Sequence, residues 1–332
     1  MERNLVSVAT ITSLTPIEGA DRIETARVRG WNVVVGKGSH SVGDKIAYFE
    51  IDSALPVEKP EFAQFADRGV KKLPDGTTVH VLKTIRLRGQ ISQGLVMSLH
   101  ELGVDPTTSE DTRLDEIVGV EKWEPPQKMV GSAAGTFLTQ YAEKTDSERV
   151  QNLSAGQWDR VSQKEWTATE KVDGTSVTVV REEDGTLRVC SRNLEVKEDS
   201  THFRHVLESG LADLIPPGMT VQGEIVGPGI QGNPLRLNTP RILLFDIWVD
   251  RQIVPRFEWP EWAKERCVPV LHLPFPDTVD EAVKQVDGLR SSINPDVQAE
   301  GVVWHTKDGS TVDKLGRSTF KAINNTFLLK SK

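Results

Sequence analysis

Apolar and polar positions alternate in two different rhythms along the chain. Over the first hundred residues the apolar runs are short: LVSVATITSL (5–14), WNVVVG (31–36), KIAYFEI (45–51), TVHVLKTIRL (78–87) and GLVMSL (94–99). Turn-rich stretches such as GKGSHSVGDK and LPDGTT separate them. Five or so strands with turn signals at this spacing predict a small β-barrel. In KTIRLRGQ (83–90) strand alternation puts Thr84, Arg86 and Arg88 on one face and Ile85 and Leu87 on the other. Two readings of that basic face stay open, a solvated strand face and a stripe contacting phosphate.

From about residue 165 the strands lengthen: EWTATEKVDGTSVTVVR, LRVCSRN, TVQGEIVG, RILLFDIWV, AEGVVWHT and STFKAI. One helical segment, DEAVKQVDGLRSSI (280–293), interrupts them. Strands mixed with a few helices predict an α+β domain, not a doubly wound sheet. Between the two regions, residues 101–127 carry eight Asp and Glu against Arg113 and Lys122, and they end in WEPPQ. The Pro125-Pro126 pair marks a domain exit. The division is therefore 1–127 and 128–332, the second part beginning with a lead-in at 128–164. Within that lead-in, Thr145 and Glu148 of TDSERVQNL have the spacing of a capping box, which predicts a helix start.

Composition narrows the setting. The net charge of −8 argues against a protein that coats nucleic acid indiscriminately. The first hundred residues nevertheless hold 13 Lys and Arg against 11 Asp and Glu, so the acidity lies in the remainder. No apolar run approaches the ~20 residues of a membrane span. The opening MERNLVSVATITS has no signal-peptide pattern, and Cys190 and Cys267 make neither a disulfide framework nor a metal site. A soluble cytoplasmic protein without membrane or obligate protein partners is the expectation.

The chemistry centres on EKVDGTS (170–176). Glu183-Asp184-Gly185-Thr186 carries a hairpin signal, and folding there pairs residues whose numbers sum to roughly 369, give or take a couple with loop type. Arg192 and Asn193 then return opposite Val177 and Ser176, beside the lysine turn. A lysine attacks only when unprotonated, against a reference pKa of about 10.4. Asp173 alone would hold the proton on Lys171, so the motif makes sense with a divalent metal and an electrophile such as an α-phosphate. Downstream, otherwise apolar strands each carry one charge: Glu224, Asp246, Glu300 and Lys321. Charges in buried strands are costly unless paired, metal-bound or lining a cleft, so four of them predict one polar pocket. Asp246 alternatively caps a local turn or pairs with Arg241. His202 and His205 have no evident third ligand and read as ordinary core or surface histidines.

KVDGTS (171–176), SRN (191–193), GEIVG (223–227), LLFDIW (243–248), EGVVW (300–304) and FKAIN (320–324) resemble, in order and spacing, the nucleotidyltransferase motifs of ATP-dependent ligases and capping enzymes. The barrel precedes these motifs instead of following them. That order, with VGDKIAYFEIDSALP and IRLRGQISQG, is similar to RNA ligases of the Deinococcus and Naegleria type. The resemblance implies an α+β chain: an N-terminal OB-like barrel at 1–127 that binds nucleic acid, then an adenylyltransferase domain of antiparallel sheets with flanking helices, ATP-grasp-like.

It further implies that Lys171 takes AMP from ATP, passes it to a 5′-phosphate end, and so lets an RNA 3′-OH close the break, plausibly a nick in a duplex. Asp173, Glu224 and Glu300 would hold Mg²⁺ or Mn²⁺, and Lys321 would offset phosphate charge. Glu170, Val172, Gly174, Arg192, Asn193, Glu224 and Phe245 would bind the nucleotide, Phe245 by stacking and Glu170 near the adenine edge. Arg149 is the candidate for a 5′-phosphate, and Lys83, Arg86 and Arg88 are candidates for the nucleic-acid backbone. The last motif has Ile323 where many ligases have a second lysine; Lys314 and Arg317 are the nearby substitutes. Two other functions remain in play: a GTP-dependent capping guanylyltransferase, and a non-catalytic nucleic-acid-binding protein.

Overall fold

The computed structural model describes residues 4–124, 132–312 and 319–330. The Pro125-Pro126 exit, Lys314 and Arg317 lie outside them. The chain divides into two compact units. The first comprises 1–127 with 151–154 and 328–332, the second 128–150 with 155–327.

In the first unit β1 (Val6–Pro16), β2 (Ile23–Val28), β3 (Trp31–Gly36) and β4 (Lys45–Phe49) are followed by β5 (Ser53–Pro56), β6 (Lys71–Lys72) and β7 (Thr78–Val81). β8 (Thr84–Leu87), β9 (Gln90–Gln93), β10 (Leu95–Ser98), the one-turn helix α1 (Asp115–Val118) and β11 (Glu121–Lys122) complete it. A five-stranded sheet runs β10-β4-β1-β2-β3 and a four-stranded one β11-β5-β7-β6. β1 pairs with β4 up to Thr10 and with β2 from Ile11, with a register shift between Ile11 and Ser13. Such a bulge bends a strand, and it turns the sheet's corner here. Inward positions of β2 and β3 alternate with outward ones, which buries Ala26, Val28, Trp31 and Val33. β2 (IETARV) escaped the sequence reading because its buried positions, Glu24, Ala26 and Val28, do not form an apolar run.

TVHVLKTIRL is two strands, not one, interrupted at Leu82-Lys83. Arg88 is not on the β8 face as expected. Leu87 pairs with Gln90, and Arg88 (φ 47°) and Gly89 (φ 84°) form the two-residue hairpin turn. Two left-handed residues in succession give the turn whose twist suits antiparallel strands.

The second unit holds β12 (Ala133–Thr136), β13 (Glu148–Arg149), α2 (Ala155–Val161), β14 (Trp166–Lys171), β15 (Thr175–Arg181), β16 (Leu187–Cys190) and β17 (Leu194–Val196). Then come α3 (Thr201–Glu208), α4 (Leu211–Leu214), β18 (Met219–Val226), β19 (Arg241–Val249), β20 (Gln252–Ile253) and α5 (Glu261–Lys264). β21 (Val270–Leu271), α6 (Val279–Val286), β22 (Gly301–Thr306) and β23 (Thr319–Ile323) follow. An antiparallel seven-stranded sheet runs β12-β17-β16-β15-β18-β19-β20, and a five-stranded one β13-β23-β22-β14-β21. Val177, Val179, Val221, Ile225 and Leu244 of the first sheet pack with Phe203 and Val206 of α3 and Ala263 of α5. On the second, Trp166, Trp304 and Phe320 pack ring on ring, with centroids 4.8–5.0 Å apart.

Three expectations need correction. No helix starts at Thr145: Thr145 Oγ1 lies 3.0 Å from Ser176 Oγ, and Glu148-Arg149 pair in parallel with Phe320-Lys321. Tertiary pairing outweighs a local capping signal. The 280–293 helix stops at Val286, with Gly288 left-handed at φ 76° two residues on. Finally, the β15–β16 ladder has the expected register but ends at Thr178↔Cys190, before Arg192 and Asn193. The chain turns back at 191–193, where the Ser191 N–H donates to Leu194 O at 2.8 Å, so Arg192 and Asn193 occupy a turn and not the strand.

Candidate functional site

Lys171 ends β14 and Asp173-Gly174 form the turn into β15. A Cβ on Gly174 would run into the carbonyl oxygen of Ile225, so the turn can lie this close to β18 only because residue 174 lacks one. That approach, with Ser176 opposite Glu224, brings the lysine turn beside Glu224. Lys171 pairs across the other ladder with Gly301, which sets Glu300 beside it. Lys171 Nζ is 2.7 Å from Glu300 Oε1, the two side chains 25% and 10% exposed. Glu300 Oε2 is buried and has no hydrogen-bond partner.

Three carboxylates thus surround one ammonium, and the site is over-supplied with negative charge. Burial alone would lower the Lys171 pKa, but Glu300, Glu224 and Asp173 outweigh it and hold it above its ordinary value. Burial pushes Glu224 up to about 8; Lys171 pulls it down, and Glu300 and Asp173 push it further up. Asp173 is raised to about 6 by burial and by Glu300, against the pull of Lys171. Among the described residues no three His, Cys, Asp or Glu side chains already close into a metal cage. The ammonium pairs with one of these acids, Glu300, and feels the charge of the other two. Oxygen donors alone, one of them an orphaned Glu300 oxygen, suit a hard divalent cation that keeps its waters.

Arg192, though in a turn, still reaches this region. Its guanidinium donates to Asp146 Oδ1 at 2.6 Å and its charge lowers the pKa of Glu224. Asn193 follows it in the same turn. Across the five-stranded sheet the ladders Thr169↔Val303↔Lys321 and Arg149↔Lys321 place Lys321 and Arg149 on the face that also carries Lys171. Glu170 lies on the opposite face, buried. Its Oε2 accepts the Ser292 N–H at 2.7 Å, its Oε1 has no partner, and burial raises its pKa. Val172 and Phe245 share an apolar cluster with Ile293 and Val297; Phe245 sits half-buried at a bulge in β19.

The four strand charges do not form one pocket, which corrects the sequence expectation. Glu224 and Glu300 act on Lys171, and Lys321 shares its face, but Asp246 stands apart. Asp246 Oδ1 is 3.4 Å from His305 Nδ1, and His305 Nε2 is 3.1 Å from Thr169 Oγ1. Asp246, His305, Arg256 and Trp259 line a small cavity of their own. The partner that the structure gives Asp246 here is His305, on the other sheet. Asp146, the Ser292 amide and His305 were missed by sequence reasoning. Asp146 stands three residues before Arg149 in a polar stretch, and no pattern announces the others. His202, Nε2 at 3.3 Å from Thr175 Oγ1, is a buried histidine as expected, its pKa lowered by burial.

Lys83, Arg86 and Arg88 lie in the first unit, on and beside the β8–β9 hairpin, and all three are exposed. Among the described residues no helix is long and apolar enough to cross a membrane.

Comparison with known proteins supplies the frame. An OB-fold domain family model matches residues 5–99 and an RNA ligase model residues 164–323. Naegleria gruberi RNA ligase, in a mutant form with ATP and Mn, is 32% identical over 98% of this chain and 99% of that one, with a TM-score of 0.87. Another mutant form with AMP and Mn gives the same identity and score. The same ligase with PPi is 33% identical, at 0.85. Among curated proteins none matches the chain. The architecture is therefore an OB-fold domain followed by a ligase-type nucleotidyltransferase fold.

Proposed function

The chain belongs to the RNA ligase family, and from that premise we propose that it seals RNA 3′-OH and 5′-phosphate ends, in duplex nicks, with ATP and through a lysyl-adenylate on Lys171. The observation that carries this reading is the Lys171–Glu300 pair at 2.7 Å, with Glu224 and Asp173 acting on the same ammonium. In this reading residues 128–332 transfer the adenylate and residues 1–127 hold the nucleic acid.

The chemistry follows from the residues. Lys171 must lose a proton to expose its lone pair, and Glu300 Oε1 is the adjacent acceptor. The Nζ lone pair then attacks the α-phosphorus of ATP, a P–N bond forms, and the P–O bond to pyrophosphate breaks. In the second step an oxygen of the 5′-phosphate end attacks the same phosphorus and Lys171 leaves, taking up a proton. In the third, the 3′-OH attacks the activated 5′-phosphate and AMP departs. Asp173, Glu224 and Glu300 would hold Mg²⁺ or Mn²⁺, whose positive charge would weaken the lysine's grip on its proton and offset phosphate charge. Lys321 and Arg149, from the same face, neutralise phosphate oxygens. Phe245 and Val172 form the apolar wall for the base, and Gly174 keeps the turn close. Glu170 Oε1, buried and unpartnered, is the polar group left for the base edge. Arg192 exchanges Asp146 for ribose or phosphate, with Asn193 orienting its neighbours.

The test is direct. Protein is incubated with α-labelled ATP or GTP and Mg²⁺ or Mn²⁺, denatured, and the chain examined for label. Label from ATP is expected, and Lys171→Ala removes it. An adduct surviving that substitution refutes Lys171 as the nucleophile; label from GTP alone favours the capping activity, and no label with either metal a binding protein.

A further inference from the structure

The chain as a whole is acidic, yet between Arg68 and Leu99 it carries six Lys and Arg and a single acid, Asp75. That acid is committed to its own turn, accepting the Thr77 N–H at 2.9 Å and the Thr77 hydroxyl at 2.8 Å. Among the described residues Arg68, Lys71, Lys72, Lys83, Arg86 and Arg88 form no ion pair. Elsewhere in the same unit Arg29, Arg113 and Lys122 are paired with Asp111, Asp115 and Glu124. Three cations of the unit thus have acidic partners, and none of the six in this segment does.

The β8–β9 hairpin is the most exposed part of it. Its base is anchored: Gln93 donates to Thr84 Oγ1 at 3.2 Å, the Val34 N–H donates to Ser92 Oγ at 3.0 Å, and Tyr48 donates to Gln93 O at 3.0 Å. Its tip is not, and every residue from Ile85 to Gln90 is exposed. Ile85 and Leu87, on its other face, are 47% and 38% exposed. The result is an arm anchored at its base, with aliphatic groups on one side and arginines on the other and at the turn.

We propose that this hairpin, with the cations that flank it in the chain, is a docking surface for duplex RNA. The proposal rests on the RNA-joining reading above and adds the element that grips the substrate. Unpaired cations on exposed backbone elements suit the phosphate chains of a duplex, whose bound counterions they release. An A-form duplex offers a wide, shallow minor groove lined with ribose and 2′-hydroxyls. Ile85 and Leu87 lie against the sugar faces there while Arg86 and Arg88 take the phosphates. Arginine's planar fork binds two phosphate oxygens at once, which a solvated strand face has no need of.

Binding of a fluorescent nicked RNA duplex, followed by anisotropy across a salt series, tests this. Arg86→Thr/Arg88→Gly suits the strand and the left-handed turn position, so the arm keeps its shape. Its affinity should fall about tenfold or more at moderate salt, and the slope of log affinity against log salt should become shallower by about two. Arg86→Gln alone should lower the slope by about one, and Leu87→Ser should weaken binding without changing it. Lys264→Ala, in the other unit, should change neither, and thermal unfolding of each variant reports its folding. Unaltered affinity and slope in the two arginine variants overturn the proposal. So does competition by a polyglutamate peptide as effective as unlabelled duplex, which would mark a site for an acidic protein. Labelling of the wild-type chain by ATP is scored separately: its absence, with duplex still held through the arginines, removes the ligase reading and leaves the docking surface.

Discussion

Two buried clusters of charge lie between the sheets of the second unit, and they are built on opposite principles. At the Lys171 end three carboxylates meet one ammonium. At the Asp246 end one carboxylate meets one imidazole, which is held in turn by a threonine hydroxyl. The second arrangement is balanced, because the Arg256 guanidinium is also set against Asp246. The first is not: Glu224 and Asp173 both have raised pKa values, and one Glu300 oxygen has no partner. Imbalance of this kind costs stability unless something positive joins it, so it marks a site that waits for a cation and a phosphate. The lesson is that burial of charge does not identify a working site; a surplus of one sign does.

The sharpest way to break that contrast is to remove one charge from each cluster. Glu300→Gln keeps the shape and takes away both the proton acceptor and a metal ligand. Adenylate formation, followed as label on the chain, should fall by about 10²–10⁴-fold. Asp246→Asn should leave the labelling rate within about tenfold and instead lower stability by about 1–3 kcal/mol in urea titrations, because it breaks a buried pair. Equal effects on rate from both substitutions would erase the distinction between the two clusters.

A backbone substitution probes how the surplus is assembled. Gly174→Ala puts a methyl against the Ile225 carbonyl, and either the turn or β18 has to move. A loss of about 1–3 kcal/mol is expected from the strain, accompanied by weaker pairing of Lys171 with its acids. Full stability together with full labelling would show that the close approach is dispensable.

Much of this site was legible in the sequence, and the reason is local. K-V-D-G fixes its own turn, and Glu224, Glu300 and Lys321 stand out because each interrupts an apolar strand. Asp246 interrupts one too, and the pattern could not separate it from the others. Its partner His305 lies 59 positions away, and the bulge in β19 determines where its side chain falls. The same limit explains the helix expected at Thr145. Capping signals are local, but Glu148 and Arg149 follow a strand more than 170 positions away. The barrel was legible in its apolar runs except for β2, and the turn position of Arg88 emerges only when β9 is seen as its partner.

The acid surplus also sets a pH dependence, and its sign is fixed by the direction of the shifts. Glu224 titrates near 8 in the folded chain against 4.5 in an unfolded one, so between these values the fold holds a proton that the unfolded chain has released. The resulting stability is fully present below about 4.5 and is lost as the pH rises through about 8. Asp173, raised to about 6, adds the same trend over a lower window. Metal-free protein should therefore melt at lower temperature at pH 9 than at pH 5.5. Glu224→Gln, uncharged throughout, should reduce that drop by a few degrees, while Asp246→Asn should not. A cation binding to the acids must displace their protons, so its affinity should rise from pH 6 to pH 8 in the wild type. Melting curves with chelator and with Mn²⁺ at several pH values measure both effects. A melting temperature that climbs with pH in the chelated protein would show that the carboxylates are not in surplus.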